Sequence, residues 1–378
     1  MGDRILTTHV GSLPRPADVS ELLLRQAADE PVDAVVFDAA VARAVIDVVA
    51  LQKKAGIDIP SDGEMSKVSY ATYVSQRLTG FSGDSPRRVP GDLLLVPRFM
   101  QRLVATGATP QARRPCCTGD IRVRTTAPLE ADISHFRAAL SANGYAQGFM
   151  NAAAPGIITL FQPNRHYATE DAYLEALAAA MAPEFRRIVE AGLILQVDSP
   201  DLALGRHVAF GELSDDQFVR RIGTHAAVLN AALAGIPRER VRLHLCWGNY
   251  EGPHTLDIPL ERILPTALGI NAGALSFEGA NPRHAHEWQV FREIKVPEDR
   301  VLIPGMIDSC TNYVEHPDLV AERILRYADI VGRDRVIAGT DCGFATFAGF
   351  GPIDPDITWM KLGALAEGAR RASRVLYS

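Results

Sequence analysis

His244 and Cys246 stand two residues apart in VRLHLCWGNY, a spacing that puts an imidazole and a thiol on one face of an extended chain. Val241, Leu243 and Leu245 alternate with Arg242, His244 and Cys246, which is the period of a strand. Such a pair supplies half of a tetrahedral zinc site, although by itself it reads equally well as a packed histidine and a small buried cysteine. Glu278 in FEGANP and Cys342 in GTDCGF add a carboxylate and a second thiolate. One nitrogen, two sulfurs and one oxygen suit Zn2+ at about 2.0–2.3 Å. The carboxylate is the ligand most easily exchanged, so a thiol that takes the place of Glu278 would lose its proton and become a nucleophile.

Each residue also has a plainer reading. Glu278 could pair with Arg283, Cys342 could fill a tight turn, and Cys310 could belong to the core. Cys116 and Cys117 are adjacent, cannot both face one ion from a strand, and read as structural. His284 and His286, in RHAH, follow Asn281 and Pro282 at a helix start and read as surface residues. His9, His166 and His316 could each reach the same place, and nothing in the sequence selects among them.

Residues so far apart need a scaffold that gathers strand ends. The pattern predicts strands at 5–12, 57–64, 149–156, 193–200, around 241–246, 274–278, 301–308 and 336–342. It predicts helices at 41–55, 171–191, 214–234, near 259–268, around 286–293, and at 317–331 and 357–373. Eight such units argue for an α/β protein, a (β/α)8 TIM barrel over 1–378 as one catalytic domain. A doubly wound sheet is weaker, because no G-x-G-x-x-G follows the first strand. Segment 79–115, rich in Gly, Pro, Arg and Ser, reads as an excursion, and with an extra strand near Cys116 it makes an insertion at about 79–124. A barrel gathers its chemistry at the C-terminal ends of its strands. There the chain places Ser12, Asp62 with Glu64, Asn151, Asp198 with Asp201, His244 with Cys246, Glu278, Asp308 with Cys310, and Asp341 with Cys342.

Composition narrows the partners. The 378 residues are 47% hydrophobic and 22% charged, with a formal net charge of −6. That balance argues against a nucleic-acid backbone as partner. No apolar run reaches the roughly 18 residues of a membrane span, and the N-terminus lacks the features of a signal peptide, so a cytoplasmic location is the default expectation. Five cysteines without a secretion signal do not suggest a disulfide framework. Helix faces of a barrel could support a homo-oligomer.

The stretches TTHVGSLPRP, PSDGEMSK, NAAAPG, LQVDSPDLA, HLCWGNYEGPH, FEGANPRHAHEW, PGMIDSCTNYVEHP and GTDCGF resemble the cobalamin-independent methionine synthases. The chain is most similar to the single-barrel branch that includes epoxyalkane:coenzyme M transferases. The resemblance implies a zinc-bearing barrel that alkylates a metal-bound thiol, with His244, Cys246, Glu278 and Cys342 as ligands. It further implies that Ser12 grips the carboxylate of an amino-acid thiol and that Glu64 and Asp198 hold its amino group. Two departures stand out. The chain has no room for a duplicated N-terminal barrel, and Cys310, after Asp308, occupies the place of a family histidine near the departing folate nitrogen. A neutral thiol is a poor acid there, which disfavours folate as donor.

The expectation is a zinc-dependent transferase joining a small thiol to an alkyl donor, with Asp308 and Cys310 near the leaving group. Methyl transfer to homocysteine or a similar thiol ranks first. Opening of an epoxide by coenzyme M, with Lys67, Arg77 or Arg165 meeting the sulfonate, is the alternative. A metal-free decarboxylase of the uroporphyrinogen type and a non-catalytic metal-binding protein complete the set.

Overall fold

A computed structural model describes residues 3–105 and 113–378, so positions 106–112 of the expected excursion lie outside the described residues. Its strands are β1 (Leu6–Thr7), β2 (Phe81–Ser82), β3 (Cys116–Cys117), β4 (Phe149–Ala153), β5 (Ile194–Asp198), β6 (Val241–His244), β7 (Ala274–Phe277), β8 (Val301–Ile307) and β9 (Ile337–Thr340). Seven form one parallel sheet in the order β1-β9-β8-β7-β6-β5-β4, while β2 and β3 pair antiparallel outside it.

Residues 57–61 take the eighth place in the ring. Asp58 and Ile59 donate backbone N–H groups to the Thr7 carbonyl, and Phe149 donates to the Pro60 carbonyl, so β1 and β4 are joined through them. The strand expected at 57–64 does not form as such, and only an isolated bridge between Thr8 and Ile59 remains. Pro60 has no N–H to give to a ladder. Gly63 (φ 67°) and Glu64 (φ 58°) then turn the chain through the left-handed region. The result is a TIM-type barrel with seven regular strands and one irregular one.

Helices cover the outside, each with a local cause. Asp33 caps Ala34–Ala55 by accepting from Val35 and Val36 N–H, and Gly56 ends it at φ 87°. Ser214 and Gln217 form a capping box at the start of Asp215–Ala232. Ala17–Ala27, Ala127–Ala142, Glu170–Glu190, Leu260–Leu268, Pro317–Val331 and Pro355–Leu376 are the other main helices, the first two without a counterpart in the sequence pattern. The helix expected around 286–293 is reduced to a 3-10 turn, Glu287–Gln289, and one α turn, Val290–Glu293.

Strand register arranges the barrel interior. Gln196 pairs with Arg242, and Asp198 with His244, which pairs in turn with Ser276. These polar side chains share the inward face, while Leu195, Val197, Leu243 and Leu275 turn outward and are fully buried under the helices. Arg242 crosses the interior to Thr8 Oγ1 (3.0 Å) and the His9 carbonyl (2.6 Å).

Arg77, one of the cations considered for a sulfonate, is instead structural. It bonds Glu184 at 2.9 Å and Asp132 at 2.5 Å with all three side chains buried, tying the start of the insertion to two barrel helices. Arg77→Met strands two buried carboxylates. Urea denaturation of that variant should show a loss of about 3–5 kcal/mol of stability.

Candidate metal centre

Ends of neighbouring strands deliver the ligand set. His244 closes β6, and Leu245 extends the ladder by one bond to the Ser276 carbonyl, so Cys246 emerges on the same face just beyond the regular strand. Cys342 lies two residues past the end of β9. A ring nitrogen of His244 and the Sγ atoms of Cys246 and Cys342 lie within 4.8 Å of one another, all buried.

The chemistry of these groups fits a soft divalent metal. Burial, helped by Arg242, pushes the His244 ring down to about 3, so it is a neutral imidazole, and its buried Nδ1 has no hydrogen-bond partner. Burial, followed by the Cys246 thiol and the Glu278 carboxylate, raises Cys342 well above an ordinary thiol. A cation at the cluster would reverse that cost.

Glu278 follows β7 directly but stands outside the 4.8 Å set. Its Oε1 accepts the Trp247 backbone N–H at 2.7 Å, and its Oε2 accepts from Asn281 Nδ2 at 2.8 Å. Asp341 organises the same loop by accepting the N–H groups of Gly279, Ala280 and Asn281. The carboxylate is therefore aimed by one loop and one neighbouring strand end.

Ser12, Glu64 and Asp198 open onto the cavity that also exposes His244, Cys246 and Cys342. Asn151 Nδ2 and Gln196 Nε2 each donate to Asp198 at 2.8 Å, but burial still lifts its carboxyl to about 6. Burial, with Asp198 nearby, lifts Glu64 to about 8, and Glu64 Oε2 has no partner. Gly343 passes so close to Ser12 Oγ that any Cβ there would collide with the hydroxyl.

Asp308 and Cys310 line an adjoining cavity with Glu278, and Cys342 borders both cavities. The Asp308 carboxylate already accepts from Cys310 N–H, Thr311 N–H and Thr311 Oγ1. Burial opposes its charge, but Lys361 and those donors outweigh it and hold the carboxyl below its usual range. Burial pushes the Cys310 thiol far up, and its Sγ lies 3.3 Å from Asn249 Oδ1.

Other expectations change. His284 is buried rather than exposed, and it stacks on Trp247 with ring centroids 3.8 Å apart. Its Nε2 meets Asp257 at 2.9 Å and its Nδ1 meets Glu287 at 2.8 Å. His254 and His207 also converge on Asp257, at 2.7 and 3.0 Å. His254, Asp257 and His284 are close enough to suggest a second metal group. Yet His254 Nε2 faces the Tyr250 carbonyl and both His284 nitrogens face carboxylates, so the rings act as proton donors there. His9 bonds Gln52, His166 bonds Asp120, and His316 caps a helix, so none of these three lines the site cavity. Nor do Lys67, Arg77 and Arg165. Among the described residues all five cysteines are free, and no helix is long and apolar enough to cross a membrane. Asp257 and Asn249 have no signal in the sequence beyond standing in or near motif stretches, whereas the sequence places Asp341 at a strand end without a role.

Residues 100–351 match the family described as "Cobalamin-independent synthase, Catalytic domain". The chain belongs to that family. It is 25% identical to the methionine synthase of Sulfolobus acidocaldarius over 343 residues, 89% of this chain and 85% of that protein. It is 24% identical to the methionine synthase of Saccharolobus solfataricus over 368 residues, 96% of this chain and 93% of the relative. A B12-independent methionine synthase from Shewanella, solved with selenomethionine, shares the fold at a TM-score of 0.74 with 20% identity, covering 99% of both chains. A putative vitamin-B12 independent methionine synthase from Listeria monocytogenes does so at 0.66 with 17% identity, covering 97% of this chain and 98% of that one.

The histidine network of this synthase domain gives a stability signature. Burial works against the His284 charge, but Asp257 and Glu287 outweigh it and raise the ring to about 10. A raised histidine stabilises the fold fully below the unfolded value near 6.5 and loses that contribution as pH climbs towards about 10. Chemical denaturation across that interval should show a smaller decline with pH for His284→Gln than for the unsubstituted protein.

Proposed function

We propose that this chain transfers an alkyl group, a methyl group by preference, to homocysteine or a similar amino-acid thiol. The barrel over 1–378, with its insertion at about 79–124, would be a single catalytic domain. The observation that carries the reading is the single cavity shared by Ser12, Glu64 and Asp198 with His244, Cys246 and Cys342. An ammonium group would satisfy Glu64 Oε2 and sit between two carboxylates, while the Ser12 hydroxyl, which lines the same cavity, would donate to the carboxylate of the bound thiol.

His244, Cys246 and Cys342 would hold Zn2+, with Glu278 as the exchangeable carboxylate. Zinc bound there supplies one thing, a lowered pKa for the incoming thiol, so that sulfur reacts as thiolate. The remaining work falls to the protein. Ser12, Glu64 and Asp198 fix the thiol by its amino-acid end and leave its sulfur facing the donor. Sulfur then bonds to the alkyl carbon as the bond to the leaving group breaks, with no covalent enzyme intermediate. Asp308 and Cys310 would border the departing group. Cys310 keeps its proton and Asp308 is committed to the turn that follows it, so they would shape that side more than shuttle protons.

The acidic end of the cavity speaks against a sulfonate thiol such as coenzyme M in that place, and similarity to methionine synthases favours methyl transfer over epoxide opening. A clustered His-Cys-Cys set likewise favours a metal enzyme over a decarboxylase without metal.

Metal analysis should give about one zinc per chain, lost in Cys246→Ser and Cys342→Ser. A chain that takes up no zinc overturns the reading. Thiol consumption should appear with homocysteine plus methyl donors, whereas consumption only with coenzyme M plus epoxypropane reverses the order of substrates. Glu64 ionises through about 8, so L-methionine should bind more tightly as pH rises from 6 to 8.5. Titration calorimetry should show that gain disappear in Glu64→Gln.

A further inference from the structure

We infer that the alkyl donor is an amphiphile whose apolar body lies on Tyr70, Phe161 and Phe347 and whose anionic group is held by Arg87, Arg88 and Arg114. The word donor rests on the thiol-alkylation reading above, whereas the binding site itself does not.

The cavity, about 320 Å3, has two poles of opposite sign. Glu64 and Asp198 form the acidic pole inside the barrel. Arg87 and Arg88, from the insertion, and Arg114, from its return to the barrel, form the cationic pole. Leu93, Met100 and Leu103 of the insertion line the same cavity, together with an aromatic group contributed by the barrel loops, in which Tyr70 feels the charges of both Asp198 and Arg114. In that group Tyr70 meets Phe161 and Phe347 edge-on at 5.5 and 6.1 Å, with Phe161 and Phe347 6.3 Å apart.

Arg114 anchors the cationic pole. Its guanidinium lies 5.1 Å from the Phe161 ring and donates to the backbone carbonyls of Pro86, Leu160 and Phe161. Asp84, the nearest acid in that loop, spends Oδ1 on the backbone N–H groups of Ser85 and Arg114. Burial first, and then Arg87 and Arg88, push Arg114 down to about 10, and Asp84 offsets only part of that, so an anion beside these guanidinium groups would be favoured.

The anion belongs to the donor rather than to the thiol. An amino-acid thiol carries its ammonium and carboxylate on one carbon, so both charges are met beside Ser12, Glu64 and Asp198. Nothing on that molecule remains for the arginines. A second molecule crossing the apolar span would have its reactive carbon at the cysteines and its charge at the insertion. Carboxylate, sulfonate and phosphate share the chemistry that guanidinium groups read.

Two fluorescent probes of similar shape test this on the zinc-loaded full chain: 8-anilinonaphthalene-1-sulfonate and its uncharged analogue N-phenyl-1-naphthylamine. The sulfonate should bind at least roughly tenfold more tightly, the scale of a charge-assisted contact. Arg87→Gln with Arg88→Gln leaves only Arg114 at that pole, so it should cut the preference at least roughly threefold and leave the uncharged probe within about twofold. Arg88 is exposed, so Arg88→Gln alone keeps the fold and should lose part of the preference. Competition by 1-naphthoate and 1-naphthyl phosphate then ranks the anion. Equal binding of the two probes, or a preference unchanged by the double substitution, overturns the proposal. The same titrations on Cys246→Ser separate the two readings. A preserved preference with no thiol alkylation and no zinc dependence in the parent enzyme removes the reaction and leaves the anion site standing.

Discussion

Burial of negative and potentially negative groups in one small volume is the constraint on which this structure depends. Glu64, Asp198, Glu278 and Asp341 and the thiols of Cys246 and Cys342 are all withdrawn from water at the mouth of the barrel. Each ionised group is costly there unless a positive charge or a fixed donor faces it. The fold supplies part of that compensation. Arg242 spans the interior beneath Asp198, Lys67 donates to the Asn151 carbonyl, and Arg15 donates to the Glu64 carbonyl. What it leaves unmet is as informative, because Glu64 Oε2 is without a hydrogen-bond partner and the sulfur pair lies beside the His244 ring. An ammonium group and a metal, the two ligands of the proposed reaction, would supply the charge that these groups lack.

Much of this was legible in the residues. Alternation around Leu243 and Leu245 places His244 and Cys246 together because a strand has only two faces. Ser214 and Gly56 mark helix ends because capping is a local matter of hydrogen bonds and φ angles. The second strand was misread because apolar alternation in Ile57 and Ile59 says nothing of the lost donor at Pro60. His284 was misread for a different reason. Its burial depends on Asp257, and on Trp247 lying flat against it, and neither relation is visible as periodicity. Asp308 shows the same limit: a carboxylate at a strand end looks available until its own turn is seen to absorb both oxygens.

The insertion is where pattern reading fell silent. Its elements are short, and its inward face is defined by what it covers rather than by its own repeat. Only in three dimensions do Arg87, Leu93 and Met100 become one wall of the cavity that the barrel leaves open. Barrel and insertion thus share one cavity: strand ends bring the His244, Cys246 and Cys342 cluster to it, and the added segment contributes much of its apolar wall.

The irregular eighth stave has one more consequence. A single backbone bond from Phe149 to Pro60 and a few bonds to Thr7 hold the ring shut at the point from which the chain turns into Asp62, Gly63 and Glu64. The barrel's least redundant joint therefore lies next to the arm that carries Glu64. Under the proposed function a molecule held by Glu64 would clasp the ring from inside, so that occupancy of the cavity and integrity of the barrel would be thermodynamically linked, each reinforcing the other.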